Sequence, residues 1–283
     1  TVLESKKRDT FKAVLQALDK EKYVTVLMKN ARDQWTLCVS SQIGCAMKCV
    51  FCATGTMGLK RNLIADEIID QYRFWNSFLL ARPELAQRIS NMVFMGMGEP
   101  LANYDAVCQA IQTIIHHTDL GPTRITVSTV GILPQLEKIL TDPNWPNARI
   151  AISLHSPDEA RRKKIVPTTA PHFHEKLSHW ANRYHASIGS KRRHITFEYT
   201  LIANENDSEE LARALGKYIQ KIGSSKINVI PLNPVPGKSY TATDQTRIDR
   251  FKDILRTYGL TVTQRRTMGN DIAAACGQLV YLT

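Results

Sequence analysis

Three cysteines lie within eight positions of one another in the stretch IGCAMKCVFCATG, which runs from Ile43 to Gly55. They are Cys45, Cys49 and Cys52, and the stretch contains no fourth cysteine or histidine. A structural zinc site takes four such ligands. A four-iron cluster normally takes four thiolates, so three thiolates leave one iron with an open coordination position. The spacing therefore predicts an iron–sulfur cluster that can bind a small molecule, with zinc or a chance spacing as the alternatives.

The elements that must position these thiols alternate between apolar runs and amphipathic helices. Six short apolar or β-branched runs predict buried strands, and they span Thr36–Ser40, Asn91–Met95, Arg124–Thr129, Arg149–Leu154, His194–Leu201 and Lys226–Pro231. Helical periodicity lies between them, for example over 64–79 and 211–222, with Asp207 as the expected cap of the later helix. This alternation predicts an α/β fold, a complete or partial barrel whose site lies at the C-terminal ends of its strands.

Polar or reactive residues stand where most of these strands end. Cys38 and the cysteine loop follow the first strand, and GMGEP, from Gly96 to Pro100, follows the second. The other strand-end residues are Ser128, the SLH segment of Ser153, Leu154 and His155, Glu198 within its strand, and Asn233. These positions converge on one mouth in a parallel barrel, so we expect a common site. GMGEP alone is equally consistent with a turn.

The N-terminal 34 residues differ from this pattern. We expect a short helix from Thr10 to Leu18 and a strand from Tyr23 to Met28. Because the chain starts at Thr1 rather than at methionine, we also expect the native N-terminus to be missing. We predict two parts, the remnant of an N-terminal extension over 1–34 and a barrel over 35–283 that ends in a loop with Cys276.

The charge balance favours a polyanionic partner. The chain carries 37 lysines and arginines against 26 acidic residues, a net charge of +11. Such a balance is typical of nucleic-acid binding, although it also serves solubility alone. Basic clusters at Arg161–Lys164, Lys191–Arg193, Arg265–Arg266 and Lys60–Arg61 offer phosphate contacts, and the first is equally consistent with a solvated helix face. The sequence has no membrane-length apolar run and no signal-peptide pattern, so we expect a cytoplasmic protein.

The spacing C-x-x-x-C-x-x-C, with Phe51 before the last cysteine, resembles the signature of the radical S-adenosylmethionine (SAM) superfamily. The resemblance implies a 4Fe–4S cluster on the three clustered cysteines, with SAM on the open iron and cleaved by one electron to a radical. It also implies a partial (β/α)6 barrel, in agreement with the strand pattern. Gly98 and Glu99 would bind the amino group of SAM. The remaining implied SAM contacts are Ser128, Ser153, Leu154, His155 and Asn233.

A closer resemblance extends from Trp35 to Leu279. The stretches TLCVSSQIGCAMKCVFCATGTMGLKRNL, FMGMGEPLANY, RITVSTVGILP, AISLHSP, INVIPLNPVPG and DIAAACGQL together resemble the RlmN/Cfr family of radical SAM RNA methyltransferases. That family methylates an adenosine of 23S ribosomal RNA, at carbon 2 in the RlmN branch, which also modifies tRNA, and at carbon 8 in the Cfr branch. GLKRNL and PLNPVPG favour carbon 2. RNA and an electron donor such as flavodoxin are the implied partners.

The family chemistry gives roles to two isolated cysteines. Carbon 2 of adenine is electron-poor, so direct transfer of a methyl cation fails. The resemblance implies that Cys276 receives a methyl group and through it becomes linked to the base. Cys38 then frees the product by forming a disulfide bond with Cys276. Cys108 lies in the helical stretch DAVCQAIQTII and is expected to be a small buried hydrophobe.

One position departs from the family pattern. RlmN-type members carry a glutamate thirteen residues before the resolving cysteine, where it removes the proton from the adenine carbon, and Thr25 stands there in this chain. Glu21, Glu67 and Glu198 are the alternative bases. Two other functions stay open, a radical SAM enzyme for a protein or small-molecule substrate and an RNA-binding module with a degraded site. The intact cysteine triad and Glu99 favour catalysis over the second of these.

Overall fold

The computed structural model describes residues 1–187, 195–223 and 226–280, which contain one large sheet and one two-stranded sheet. The strands are β1 Val2–Glu4, β2 Thr10–Gln16, β3 Lys22–Lys29, β4 Trp35–Cys38, β5 Gln42–Gly44, β6 Leu59–Asn62, β7 Ile89–Phe94, β8 Ile125–Thr129, β9 Arg149–Ser153, β10 Thr196–Leu201, β11 Lys226–Pro231 and β12 Thr261–Gln264. The helices are α1 Ala53–Thr56, α2 Ala65–Leu80, α3 Tyr104–His117, α4 Leu133–Thr141, α5 Glu159–Ile165, α6 Phe173–Ser187, α7 Glu209–Ile222 and α8 Gln245–Thr257.

Within these residues the large sheet has the order β1-β2-β3-β4-β7-β8-β9-β10-β11-β12. Strands β1 to β4 pair antiparallel, and every neighbouring pair from β4 to β12 is parallel. At least one helix connects each parallel strand to the next, which makes six strand–helix units followed by β12. The prediction of an α/β fold with a partial (β/α)6 barrel is therefore confirmed, and the C-terminal ends of the parallel strands share one edge.

The six predicted strands agree with β4 and β7 to β11 to within two residues at each end. His194, the predicted start of the fifth strand, lies outside the described residues. Strand β12 carries no comparable signal, because only one of its four residues is apolar and none of them is fully buried. Apolar runs therefore locate the strands that are covered on both faces and miss the partly exposed one at the edge.

The helix predicted from Thr10 to Leu18 is wrong, because Thr10–Gln16 forms β2 and pairs with both β1 and β3. Phe11 packs against Trp35, with ring centroids 5.6 Å apart, while Thr10 and Lys12 on the opposite face are also buried. A strand with two buried faces shows no alternation of polar and apolar residues, so its pattern resembles that of a helix. The strand predicted from Tyr23 to Met28 is confirmed as β3.

The N-cap of α7 is Ser208 rather than the predicted Asp207. The Ser208 hydroxyl accepts a hydrogen bond from the backbone N–H of Leu211 at 3.3 Å. The Asp207 carboxylate instead lies 2.9 Å from the guanidinium of Arg247 and accepts a hydrogen bond from Thr243. Both residue types are good caps, and the ion pair with α8 decides which one serves.

The proposed division between residues 34 and 35 stays a prediction. Strand β3 lies before it and pairs with β4 after it, so the sheet is continuous across this position. None of the helices in the described part of the chain is long and apolar enough to cross a membrane.

Candidate active site

A cleft lies at the C-terminal ends of the parallel strands and encloses about 960 Å³ up to its open mouth. Of the twelve residues predicted to hold the cluster, to contact SAM or to act as catalytic thiols, ten line it, namely Cys45, Cys49, Cys52, Gly98, Glu99, Ser128, Ser153, His155, Asn233 and Cys276. Cys38 and Leu154 are not among its lining residues.

Backbone hydrogen bonds hold the loop that carries the three clustered cysteines. The N–H of Cys45 donates to the carbonyl of Gly58 at 2.9 Å, and the N–H of Cys52 donates to the carbonyl of Cys49 at 3.1 Å. Gly44 has a φ of 78°, and a Cβ atom there would lie 1.8 Å from the carbonyl oxygen of Gly58. Only glycine therefore allows the loop to close this tightly.

The three thiols suit a cluster better than a single metal ion. In the described residues no three His, Cys, Asp or Glu side chains approach closely enough to share one ion. Burial raises the pKa of the Cys45 thiol to about 12, and burial with the neighbouring Cys52 and Cys45 also raises the pKa of Cys49. Coordination to a positively charged centre is what makes such thiols thiolates at neutral pH. The donor set therefore fits a multi-iron cluster held by three cysteines.

Glu99 is a buried carboxyl that can pair with a cation in the cleft. Its two oxygens accept hydrogen bonds from the N–H groups of Leu101 at 3.1 Å and Val130 at 2.8 Å. Burial raises its pKa to about 7, although these bonds and Thr129 oppose the shift. An ammonium group in the cleft would favour the ionised form and make a charge-assisted hydrogen bond with it. The carboxyl thus fits the amino group of a bound amino acid.

Gly98 allows the backbone before Glu99 to pass close to another loop. It has a φ of 99°, and a Cβ atom there would lie 2.5 Å from Cβ of Gln42. The Gln42 side chain in turn accepts a hydrogen bond from the N–H of Glu99 at 2.8 Å. The loops after β4 and β7 are therefore locked together beneath the carboxyl of Glu99.

His155 is a neutral hydrogen-bond donor at the cleft. Its Nδ1 accepts a hydrogen bond from the N–H of Thr200 at 3.0 Å, which leaves Nε2 as the protonated nitrogen. Burial lowers its pKa to about 3, with a smaller contribution from Arg162. The ring also contacts Phe51 edge to face, with centroids 4.9 Å apart. A φ of 58° marks strained backbone at this residue, as is frequent in binding sites.

Two predicted SAM contacts are occupied by the protein itself. The side chain of Leu154 is buried in the core, its N–H donates to the carbonyl of Glu198, and its carbonyl accepts from Arg162. The amide of Asn233 donates to the carbonyl of Cys276 at 3.0 Å and accepts from the hydroxyl of Thr267 at 3.0 Å. Asn233 thus lines the cleft but holds the segment that carries Cys276.

Cys276 and Cys38 both lie beside the guanidinium of Arg265. A thiolate at Cys276 is the largest of the influences that raise the pKa of Arg265, and Glu198 and Cys38 add to it. Burial, and to a lesser degree Cys276, raises the pKa of Cys38 to about 12. Cys276 lines the cleft with the clustered cysteines, while Cys38 ends β4 and is 5% exposed. All six cysteines are free thiols, so the pairing of Cys38 with Cys276 stays a prediction.

Arg162 was assigned to a basic surface run, and that interpretation is wrong. The side chain is 1% exposed, and its guanidinium lies 3.6 Å from the ring centroid of Phe173. It donates to the carbonyls of Leu154 and Val130, and so joins the ends of β8 and β9 behind the cleft. The sequence does contain a signal for this burial, because Arg162 lies three residues before buried Ile165 and therefore on the same face of α5.

The other basic clusters contribute less free charge than expected. Lys60 pairs with Glu21 at 2.7 Å, and Arg61 pairs with Asp19 at 2.6 Å and Glu67 at 2.8 Å. These ion pairs fasten the turn between β2 and β3 to β6. Lys191–Arg193 lies outside the described residues.

Thr25 does not face the cleft. It is fully buried, its hydroxyl donates to the carbonyl of Cys38 at 2.9 Å, and the indole N–H of Trp75 donates to it at 3.1 Å. Among the alternative bases, Glu21 and Glu67 are held in the ion pairs with Lys60 and Arg61, whereas Glu198 lines the cleft.

Glu198 is buried and lies close to the guanidinium of Arg265. The amide of Asn228 donates to its carboxylate at 2.9 Å, and Arg265 lies 4.0 Å away. Burial raises its pKa, against the influence of Arg265. The guanidinium of Arg265 therefore lies beside the Glu198 carboxyl as well as beside Cys38 and Cys276.

Comparison with known proteins agrees with this arrangement. Residues 39–216 match the model of the Radical SAM superfamily. The chain is 41% identical over 279 residues to the ribosomal RNA large subunit methyltransferase N of Nitrosopumilus maritimus, covering 96% of this chain and 77% of that protein. It is 40% identical over 265 residues to the dual-specificity RNA methyltransferase RlmN of Vesicomyosocius okutanii, covering 93% of this chain and 72% of that protein.

A solved structure shows the same fold over nearly the whole chain. The crystal structure of a radical SAM methyltransferase from Sphaerobacter thermophilus superposes with a TM-score of 0.90 at 36% sequence identity, covering 98% of this chain and 79% of that one. The cleft, the cysteine triad and these similarities agree, and the chain belongs to the RlmN family of radical SAM RNA methyltransferases.

Proposed function

We propose that this chain methylates a ring carbon of an adenosine in RNA, carbon 2 in preference to carbon 8. The observation that carries the proposal is the presence of Cys276 in one cleft with Cys45, Cys49 and Cys52. A cleft built only to bind a cofactor has no need for a fourth, separate thiol. The names of the relatives, a ribosomal RNA large subunit methyltransferase and a dual-specificity RNA methyltransferase, support large-subunit ribosomal RNA and a second kind of RNA as substrates. The family resemblance points to 23S ribosomal RNA and tRNA.

The three clustered cysteines would hold a 4Fe–4S cluster, and Glu99 would bind the amino group of SAM. His155 would donate a hydrogen bond from Nε2, and Ser128 and Ser153 would supply further polar contacts from neighbouring strand ends. When bound, the cluster and SAM supply the methyl group and the one-electron chemistry that an electron-poor ring carbon requires. The protein orients them and keeps water out of a cleft with buried walls.

Cys276 is the residue we propose to carry the methyl group and to form the link to the base. It would react as a nucleophile through its sulfur, and Arg265 lines the same cleft. Cys38 then attacks the sulfur of Cys276, so that a disulfide bond forms as the bond between sulfur and the product carbon breaks, and that carbon keeps the electron pair and takes up a proton to complete the methyl group. Because burial raises the pKa of Cys38 to about 12, this attack requires a nearby cation, and Arg265 is positioned to serve both thiols.

Glu198 is our candidate for the group that accepts the ring proton, in place of the glutamate that Thr25 replaces. It lines the cleft, and its raised pKa suits a general base. The other acidic side chain at the cleft, Glu99, is held by two backbone N–H groups and would face the SAM ammonium. The two carboxyls would thus have separate roles.

RNA would reach this site as a single-stranded, extruded base, because a ring carbon is inaccessible in a stacked helix. The net charge of +11 favours association with phosphates. We also propose a cytoplasmic location, where an electron donor such as flavodoxin and the RNA substrates are both present.

The proposal is tested by expressing the chain in bacteria that lack their own enzyme of this kind and digesting 23S ribosomal RNA and tRNA to nucleosides for mass spectrometry. We expect 2-methyladenosine with the native chain and none with Cys276→Ala. Recovery of 8-methyladenosine would instead support the Cfr-like alternative. The absence of any methylated adenosine from cells that contain cluster-loaded protein would favour a protein or small-molecule substrate.

A further inference from the structure

Lys12 connects the N-terminal strands to the segment that carries Cys276, which is here called the Cys276 loop and comprises residues 269–280. The lysine lies on β2, before the region that matches the superfamily model at residues 39–216. We propose that Lys12 is a positioning residue that holds the Cys276 loop against the cleft. The proposal rests on the proposed function only for the chemistry that Cys276 performs.

The Lys12 ammonium group bridges two carbonyl groups on either side of Cys276. Its Nζ donates to the carbonyl of Ala273 at 3.0 Å and to the carbonyl of Val280 at 3.3 Å. Ala273 has a φ of 48°, so the first of these carbonyls belongs to a turn that a non-glycine residue seldom adopts. One ammonium group thus holds a carbonyl group on each side of Cys276.

Burying the ammonium group of a lysine costs free energy, so a lysine is expected here only if it has such a role. Lys12 is 3% exposed, and burial lowers the pKa of its ammonium group. An aliphatic side chain of similar length would fill the same space without a charge that must be desolvated. What lysine adds is three N–H donors on a flexible stem, which can join carbonyls that are far apart in sequence.

Further contacts from β2 and from the turn before it reach the first half of the Cys276 loop. The N–H of Lys6 donates to the carboxylate of Asp271 at 2.7 Å. Gly269 packs so closely on Thr10 that a Cβ atom there would lie 2.7 Å from the methyl carbon of the threonine. These contacts brace the entry to the loop, and Lys12 extends the support past Cys276.

The opposite side of the Cys276 loop is held by the cluster-binding side of the cleft. The N–H of Ala53 donates to the carbonyl of Gly277 at 2.7 Å, and the hydroxyl of Thr54 donates to the carbonyl of Leu279 at 2.6 Å. Loss of Lys12 would therefore release one side of the loop while the other stayed attached. We expect the fold to survive and Cys276 to become more accessible.

The test compares Lys12→Met and Lys12→Gln with the native chain, all loaded with cluster under anaerobic conditions. Lys22→Met is the matched control, because Lys22 lies half-buried on the neighbouring strand β3. Peptide mass spectrometry follows alkylation of the unmethylated fraction of Cys276 by iodoacetamide, with buried Cys108 on α3 as the internal reference. Hydrogen exchange of residues 269–280 is measured on the same samples.

We expect both Lys12 variants to raise the alkylation rate of Cys276 about tenfold relative to Cys108, because a released clamp increases local opening. Exchange should rise in the same loop and stay unchanged in β8 and β9. Lys12→Arg, which keeps a charged donor, should restore at least part of the protection, and Lys22→Met should match the native chain.

Unchanged alkylation and exchange in both Lys12 variants would overturn the proposal, and so would a general loss of stability that exposes Cys108 as much as Cys276. If one variant fails to fold, the other and Lys12→Arg still decide the question. These readouts need no RNA, so they distinguish failure of the positioning role from failure of the proposed methyltransferase function.

Discussion

The two sides of the cleft are built in different ways. The cluster loop, residues 45–55, is fixed by backbone hydrogen bonds to Gly58, Ile165 and Gly277 and by Gly44, where no larger residue fits. The Cys276 loop has backbone hydrogen bonds of its own, but it is fastened to other elements mostly by side chains that reach its carbonyl groups, including Lys12, Thr54 and Asn233. A cofactor site gains from a fixed geometry. A thiol with the role proposed for Cys276, in contact first with a base and then with Cys38, gains from contacts that can open one at a time.

The largest expected effect comes from breaking the fixed side. Replacement of Cys45 by alanine leaves two thiolates, which cannot hold a four-iron cluster in the same way. We expect iron bound per chain after anaerobic reconstitution to fall to near zero. Cys108→Ala is the control, because Cys108 is buried on α3, does not line the cleft and donates to the carbonyl of Asn144, and its iron content should equal that of the native chain. Iron retained by the Cys45 variant would refute the three-thiolate site.

The next effect tests the charge at Glu99. Glu99→Gln removes the carboxylate that would pair with the SAM ammonium, and we expect SAM to bind at least about tenfold more weakly. Because burial raises the pKa of Glu99 to about 7, the free native protein carries a neutral carboxyl at lower pH. SAM affinity of the native chain should therefore rise with pH toward about 7 and then level off. The variant should show no such rise in calorimetric titrations at several pH values.

A smaller effect is expected from the backbone of the fixed side. Gly98→Ala introduces a Cβ atom 2.5 Å from Gln42 at a φ of 99°. Strain of this kind costs about 1–3 kcal/mol. Gly121→Ala is the matched control, since a Cβ atom there meets no atom within 4 Å, and its free energy of unfolding should change by less than about 0.5 kcal/mol. Chemical denaturation measures both, and equal stability of the two variants would contradict the close contact.

The smallest effect concerns a single tether of the Cys276 loop. Thr54→Val keeps the shape of the side chain and removes the donor to the carbonyl of Leu279, so we expect a loss of about 1 kcal/mol. Thr113→Val is the control, because its hydroxyl donates to the carbonyl of Gln109 on an exposed helix face. If both variants lose the same free energy of unfolding, the hydrogen bond from Thr54 stabilises the protein no more than one on an exposed helix face.

Local motifs account for what could be predicted from the sequence. The clustered cysteines, Glu99 and His155 stand at strand ends, and a parallel barrel brings such positions together whatever the details of packing. Cys276 and Cys38 followed from the family resemblance, because nothing in the spacing of residues 38 and 276 connects them. The parallel strands could be predicted because burial on both faces requires apolar runs, and the same runs supply much of the core.

Buried charges account for most of what could not be predicted. The sequence predicts surface cations at Arg162 and Arg265 and does not single out Lys12, because charged residues are usually exposed. Each is instead buried or half-buried beside the cleft. Their partners are mostly backbone carbonyls or thiols from distant parts of the chain, and such contacts leave no periodic signal. β2 was missed for a related reason, as Lys12 interrupts the apolar pattern of a fully covered strand.

The central claim is that Cys276 is a methyl-carrying thiol placed beside the cluster. Peptide mass spectrometry of the protein, expressed with support for iron–sulfur assembly, tests it most directly. The account predicts a mass increase of one methyl group on the peptide that contains Cys276, and none on the peptide that contains Cys108. A bare thiol at Cys276 in every cluster-loaded preparation would contradict it.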